Sequence, residues 1–134
     1  LEFICRVREV SPRRIGPWLD FFNFKGEKNR LIRDLSRGTK QKVVATQAFI
    51  HKPKFVFIDE PLINLDPLMQ KRFKEYIQDY VSKGNTVFLS THVLSIADEI
   101  CTDIGILKDG RMVYQGAMVE DLEAHFLKVI EDEV

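Results

Sequence analysis

The sequence has little that would mark a secreted, membrane-spanning or polyanion-binding protein. Its 134 residues include two cysteines, Cys5 and Cys101, without the regular spacing of a disulfide framework, which favours a reducing compartment. No apolar run approaches the roughly 18 residues that a membrane-spanning helix needs, and no basic and apolar start marks a signal peptide. Twenty Lys and Arg balance twenty Asp and Glu, so no net positive charge attracts a phosphate backbone. We therefore expect no nucleic-acid partner.

The residues that are present indicate a folded chain whose two parts differ in their hydrophobic pattern. Residues 1–52 are rich in helical patterns, with Ser11 and Pro12 marking one helix start and Gln41–Lys52 following a helical period. From residue 53 onward, short apolar runs alternate with helical segments. We predict a division into a small helical subdomain with its last helix, 1–52, and an α/β core, 53–134.

The second part of the chain predicts a mostly parallel sheet. Phe55–Ile58 and Thr86–Ser90 are continuous runs of strand-forming residues, which is typical of strands buried on both faces. Pro67–Ser82 between them has apolar residues at helical spacing, and Gly84 supplies its stop. Since strand, helix and strand follow one another, the two strands are expected to run parallel through a right-handed crossover.

The C-terminal third predicts a hairpin followed by a helix. Asp109 and Gly110 separate two apolar runs, which is a strong hairpin signal, and helical spacing resumes after Ala117. The fold class is therefore α/β, with a mostly parallel sheet, flanking helices and a small helical subdomain.

Two carboxylates form the sharpest chemical feature. Asp59 and Glu60 directly follow the apolar run Phe55–Ile58, at the expected carboxyl end of a strand. Ligands of open α/β sheets bind at that end, where one carboxylate could hold a hydrated Mg²⁺ and the other could reach a water. An acidic strand end that merely starts a loop explains the hexapeptide equally well.

A helix start at Ser36 is a candidate anion site. Ser36 and Gly38 stand at the entry of a helix, with Lys40 and Lys42 expected in its first turn. Free amide groups at a helix N-terminus bind anions, and basic residues there favour a negative ligand. A plain serine N-cap is the alternative.

Asp66 and His92 are candidate site residues only because of their positions in the predicted fold. Asp66 before Pro67 reads as an ordinary N-cap. His92 follows a strand predicted to lie parallel to the one that ends at Asp59, although a single histidine is more often structural or solvated.

The order and spacing of these segments resemble the C-terminal part of the nucleotide-binding domain of ATP-binding cassette (ABC) proteins. Leu35–Thr39 looks like the family signature LSGGQ, with Arg37 for its first Gly and Thr39 for its Gln. Asp59 and Glu60 look like the Walker B aspartate and the catalytic glutamate. Asn64–Asp66 matches the D-loop, His92 the switch histidine and Ile104–Gly116 the hairpin that follows it.

The resemblance implies a partial P-loop NTPase-type fold, ATP and Mg²⁺ as ligands, and a role for each matched residue. Asp59 would bind Mg²⁺, and Glu60 and His92 would be catalytic. The residues implied to contact nucleotide or its surroundings are Ser36, Arg37, Gly38, Thr39 and Asp66. Implied partners are a second nucleotide-binding domain, joined head to tail, and transmembrane permease subunits. Such a protein would lie in the cytoplasm, on the cytoplasmic face of the membrane.

One expected part is absent from the sequence. No phosphate loop of the form G-x-x-x-x-G-K-S/T occurs, and the similar spacing in Gly105–Met112 places Arg111 and Met112 at the essential positions, within a predicted hairpin. A chain that starts at Leu1 without Met is expected to be a fragment whose missing part is N-terminal. We expect it to be inactive alone and to leave an apolar sheet face uncovered.

Two other functions remain open from the sequence. Chromosome-maintenance and recombination-type ATPases share these motifs, but they follow a long coiled coil, and residues 1–34 show no sustained heptads. A non-catalytic regulatory module that kept the fold is the second alternative.

Overall fold

The computed structural model describes residues 1–24, 26 and 30–132. Short 3₁₀ turns occur at Pro12–Arg14 and Ile32–Asp34. The described residues form compact units of Leu1–Ser90 and of the residues from Thr91 onward. The helices are α1 (Glu2–Val7), α2 (Ile15–Phe21), α3 (Arg37–Phe49), α4 (Pro67–Ser82), α5 (Leu94–Ile100) and α6 (Leu122–Asp132), and the strands are β1 (Phe55–Asp59), β2 (Thr86–Ser90), β3 (Asp103–Lys108) and β4 (Arg111–Ala117).

The first unit contains the predicted parallel strand pair. Strands β1 and β2 run parallel, with Phe55 opposite Thr86 and Asp59 opposite Ser90. Helix α4 connects them, as the strand–helix–strand order predicts. Both strands therefore end at the same edge of the sheet, and that edge carries the proposed carboxylates.

The two long helices of this unit begin at polar caps that the sequence predicts. The Asp66 side chain caps α4, Pro67 is its first residue, and Gly84 follows its end with a φ of +83°. Helix α3 begins at Arg37, directly after the predicted helix start at Ser36 and four residues before the periodic stretch Gln41–Lys52, because the Ser36 side chain caps it. Lys42 therefore lies in the second turn rather than the first.

An aromatic core holds α2, α3 and α4 together. Ring contacts connect Trp18 of α2 and Phe22, which directly follows α2, with Phe49 of α3 and Phe73 of α4. The rings meet edge to face or stacked. The Tyr80 hydroxyl donates to the carbonyl of Pro53. Residues before and after position 52 pack in this one core. The predicted boundary between residues 52 and 53 therefore stays a prediction.

The prediction that β1 and β2 are buried on both faces is wrong for the described chain. Val56 and Ile58 are buried, but Phe55, Phe57 and Phe88 are 66%, 76% and 61% exposed. The reason is the two-residue period of a strand, which places these phenylalanines on the face opposite the core, where no described residue covers them. The expected uncovered apolar face is thus present.

This phenylalanine face predicts that the 134-residue chain associates in solution. Phe57 and Phe88 are direct cross-strand partners, so replacing both by Thr removes most of the patch and keeps strand propensity. We expect sedimentation velocity to show concentration-dependent association of the parent chain and a monomeric double variant. Leu68→Thr is the matched control, because Leu68 is 69% exposed but lies on α4. Equal association of parent and double variant would contradict the prediction.

The second unit contains the predicted hairpin and C-terminal helix. Strands β3 and β4 pair antiparallel in a separate two-stranded sheet. Asp109 and Gly110, both with positive φ, form the turn between them. The Lys108 ammonium donates to the carbonyl of Ile130 at 2.8 Å, which anchors α6 to the hairpin. None of the helices in the described ranges combines the length and hydrophobicity that a bilayer crossing requires.

Candidate functional site

The carboxyl ends of β1 and β2 bring Asp59 and Ser90 together. The two residues are opposite each other in the parallel register, and the Ser90 hydroxyl donates a hydrogen bond to Oδ1 of Asp59. Asp59 is exposed on the same face as Phe57. A carboxylate beside a hydroxyl is a donor set of hard oxygens, which suits Mg²⁺. The oxygen atoms of Asp59 and Ser90 are therefore chemically suited to the predicted Mg²⁺.

Glu60 directly follows the strand in an unusual backbone conformation. Its φ is +44°, a left-handed value that costs a non-glycine residue about 1–3 kcal/mol and persists only where the surroundings fix it. Both of its backbone polar groups are held. The amide donates to the carbonyl of Ser90 at 3.0 Å, and the carbonyl accepts from Nε2 of Gln41 at 2.9 Å and from the Ile63 amide at 3.3 Å. The half-buried Glu60 thus leaves the strand through a fixed turn at the edge that carries Asp59.

The start of α3 places the signature-like residues around the Ser36 cap. The Ser36 hydroxyl accepts from the Thr39 amide at 3.1 Å and lies 2.8 Å from the Thr39 hydroxyl oxygen. Ser36 is therefore an N-cap, as the alternative interpretation predicted; this bond does not test the proposed anion binding. One further hydrogen bond remains within the capacity of a serine hydroxyl. Ser36 and Arg37 are exposed, Gly38 is half-buried, and Thr39 is buried.

Gly38 brings this helix start against the loop that follows Glu60. A Cβ atom at position 38 would lie 2.5 Å from the carbonyl oxygen of Asn64, a separation that real Cβ atoms do not show. The structure thus joins the signature-like and D-loop-like segments of one chain through direct backbone contact, which only glycine permits at this position.

The loop between Glu60 and α4 is anchored along its whole length. Pro61, Leu62 and Leu65 are buried. Nε2 of Gln70 donates to the carbonyls of Leu62 and Leu65, each at 3.2 Å. The loop is therefore fixed to α4 at its far end and to α3 near Glu60.

The exposed Asp66 caps α4, with its Oδ1 accepting from the Met69 amide at 3.0 Å. This is the ordinary N-cap that the sequence predicts. The cap bond occupies one of two carboxylate oxygens, so the side chain keeps further acceptor capacity.

His92 lies two residues beyond the end of β2, at the start of the second compact unit. It is exposed, and the neighbouring Val93 amide donates to the Thr91 hydroxyl at 3.1 Å in the turn that leads to α5. The other candidate residues belong to the first unit. The predicted convergence of His92 with Glu60 stays a prediction.

Among the described residues, no three His, Cys, Asp or Glu side chains form a metal-binding group. Mg²⁺ in nucleotide sites is typically held by one or two carboxylates together with phosphate oxygens. The assignment of Asp59 as the Mg²⁺ ligand stays a prediction.

Sequence reasoning missed Gln41 and the contact of Ser90 with Asp59. The sequence did place Gln41 three residues after Gly38, and therefore on the same face of α3 as the candidate site residue Gly38. The parallel pairing of the strand ends was the signal for Ser90.

Comparisons with known proteins agree on one family. A family model described as "AAA domain, putative AbiEii toxin, Type IV TA system" matches residues 8–98. The uncharacterised ABC transporter ATP-binding protein YhaQ of Bacillus subtilis is 31% identical over 90% of this chain, and a similarly named protein of Synechocystis is 37% identical over 86%. These matches cover 42% and 33% of the two relatives, so the chain spans less than half their length.

Solved structures show the same fold. An ATP-binding subunit of an ABC transporter superposes with a TM-score of 0.87 and 27% identity, covering 96% of this chain and 60% of that protein. A dimeric ATP-binding cassette in a post-hydrolysis state, bound to ADP and phosphate, superposes with a TM-score of 0.69 and 22% identity over 81% of this chain and 47% of its own length.

Proposed function

This chain belongs to the AAA-domain family and corresponds to the C-terminal part of an ABC ATP-binding domain, and we propose that it supplies the hydrolytic half of an ATP-driven transport subunit. The observation that carries the proposal is the edge of the parallel strand pair. There the Asp59 carboxylate, bonded by Ser90, is followed at once by Glu60 in a turn held at both backbone groups. The names of the relatives favour transport over the chromosome-maintenance alternative.

In the proposed mechanism Asp59 would hold Mg²⁺, and Ser90 orients the Asp59 carboxylate. Bound Mg²⁺ would neutralise charge on the phosphate oxygens. Glu60 orients a water for attack on the terminal phosphate and accepts its proton. General-base catalysis of this kind contributes about 10²–10⁴ in rate, or roughly 3–5 kcal/mol of barrier. His92 donates to the terminal phosphate and is the second catalytic side chain.

The signature-like residues serve a second nucleotide-binding domain in this proposal. Ser36, Arg37 and the backbone near Gly38 and Thr39 face the nucleotide held mainly by the partner domain. The anion-binding helix start and the absence of acidic residues from its first turn support this role. Asp66 acts across the same dimer interface. The complete protein then docks on transmembrane permease subunits at the cytoplasmic face of the membrane.

The proposal predicts that the 134-residue chain alone does not hydrolyse ATP, whereas the complete protein that carries it does. The printed sequence contains no phosphate loop, so this chain holds the carboxylates without the main cradle for the phosphates. Phosphate release is measured with both proteins at equal molar concentration, with and without Mg²⁺. Magnesium-dependent turnover by the purified short chain would contradict the prediction. Absence of turnover from the complete protein would contradict the proposed function.

A further inference from the structure

We propose that Gln41 is a positioning residue for Glu60. Its side-chain amide binds the Glu60 carbonyl and thereby ties to α3 the left-handed turn from which the Glu60 carboxylate projects. The proposal rests on the proposed function of Glu60 as the general base. It adds a residue of the signature helix to the hydrolytic site of the same chain.

The first step is the backbone of Glu60. A non-glycine residue keeps a positive φ only where neighbouring groups fix it. Here the amide is fixed by Ser90 at the end of β2, and the carbonyl by Gln41 of α3 together with the Ile63 amide of the loop. The bond to Ser90 continues the strand pairing and holds only the peptide before Glu60. Gln41 acts on the peptide after Glu60, whose carbonyl also accepts from the Ile63 amide at 3.3 Å within the loop. The Gln41 bond is the one that ties this turn to α3.

The second step is how Gln41 reaches that carbonyl from 19 residues away in the sequence. Gly38, one turn earlier on the same face of α3, has no side chain and lets the helix approach the Asn64 carbonyl. This close approach brings the half-buried Gln41 within 2.9 Å of the Glu60 oxygen. A partly shielded hydrogen bond is electrostatically stronger than one in open water.

The third step is that two glutamines bind different carbonyl groups of the loop. Gln70 holds the carbonyls of Leu62 and Leu65, beyond the residue that carries the chemistry. Gln41 holds the carbonyl of Glu60 itself. Loss of the Gln70 bonds would loosen the loop toward Asp66, whereas loss of the Gln41 bond would release the turn at Glu60 from α3.

Removing the Gln41 amide should therefore affect the chemical step more than nucleotide binding. A displacement of a reacting group by about 1 Å can cost up to about 10²-fold in rate. In the complete protein we expect Gln41→Met, which keeps length and helix propensity, to lower kcat by about 10–100-fold. KM for ATP should change by less than about threefold, because an interaction needed only for the chemical step is lost.

Gln47→Met is the matched control, since Gln47 is also half-buried and lies two turns further along α3. The same chemical change there should alter the unfolding midpoint as much as Gln41→Met does, with kcat close to that of the parent. The specific readout is a double-mutant cycle. In the Glu60→Gln background, Gln41→Met should produce no further loss of the residual turnover.

The outcomes separate this proposal from the one on which it rests. If Glu60→Gln retains turnover, the proposed function of Glu60 fails. If Glu60→Gln abolishes turnover but Gln41→Met matches Gln47→Met in kcat, the positioning role of Gln41 is refuted. A further loss from Gln41→Met in the Glu60→Gln background also refutes it, because Gln41 would then act independently of Glu60.

Discussion

Replacing Glu60 by Gln in the complete protein is expected to lower ATP turnover by about 10²–10⁴-fold while ATP binding is retained. Glutamine has nearly the same shape as glutamate, so the buried loop that follows and the bond from Gln41 to the residue-60 carbonyl are preserved. The amide cannot accept a proton from the attacking water. Asp59 and its contact with Ser90, which the proposal assigns to Mg²⁺, are untouched. Steady-state phosphate release and equilibrium binding of labelled ATP measure the two effects separately.

Glu75→Gln is the control for the loss of one carboxylate charge, since Glu75 is exposed on α4. We expect its turnover to equal that of the parent. Turnover retained by Glu60→Gln would remove Glu60 from the base role. Loss of ATP binding together with turnover would instead assign Glu60 to holding the nucleotide, and would equally contradict the mechanism.

Local rules correctly placed the polar residues at the ends of helices and strands. Ser36 and Asp66 cap their helices, Asp109 and Gly110 form the hairpin turn, and Asp59 ends a strand parallel to β2. These features depend on a residue and its near neighbours in sequence, through capping bonds, positive φ and the order of strands. A single sequence contains that information.

The surroundings of the strands could not be predicted in the same way. The apolar run Phe55–Ile58 has no polar side to distinguish a solvent face, so the pattern alone predicts burial on both faces. Phe57 is nevertheless 76% exposed, which the run itself does not reveal. The prediction therefore failed on what lies against the strand and succeeded on the strand itself.

The conformation of Glu60 was the other feature beyond local rules. A left-handed turn is normally signalled by Gly or Asn, and a glutamate gives no such signal. Its turn is held by backbone bonds to Ser90 and Ile63, and by a hydrogen bond from Gln41 of α3 that the close approach at Gly38 allows. Contacts of this kind follow from tertiary packing, which propensity and spacing do not specify.

The contact at Gly38 gives the second large expected effect, a loss of stability in Gly38→Ala. Helix propensity alone would favour alanine at a helical position by about 1 kcal/mol. The added Cβ would, however, lie 2.5 Å from the Asn64 carbonyl oxygen, which is backbone and cannot turn aside like a side chain. Overpacking of this kind costs about 1–3 kcal/mol. We therefore expect the free energy of unfolding in urea to fall, by up to about 2 kcal/mol after the propensity gain.

Arg37→Ala is the matched control, because Arg37 is the adjacent, exposed residue of the same helical turn. Its unfolding free energy should stay within about 0.5 kcal/mol of the parent value. Amide hydrogen exchange locates the effect, since Gly38→Ala should accelerate exchange in the loop that follows Glu60 and Arg37→Ala should not. If Gly38→Ala is instead as stable as the parent, α3 can shift away from the loop at no cost. The close approach would then not be what brings Gln41 to the Glu60 carbonyl.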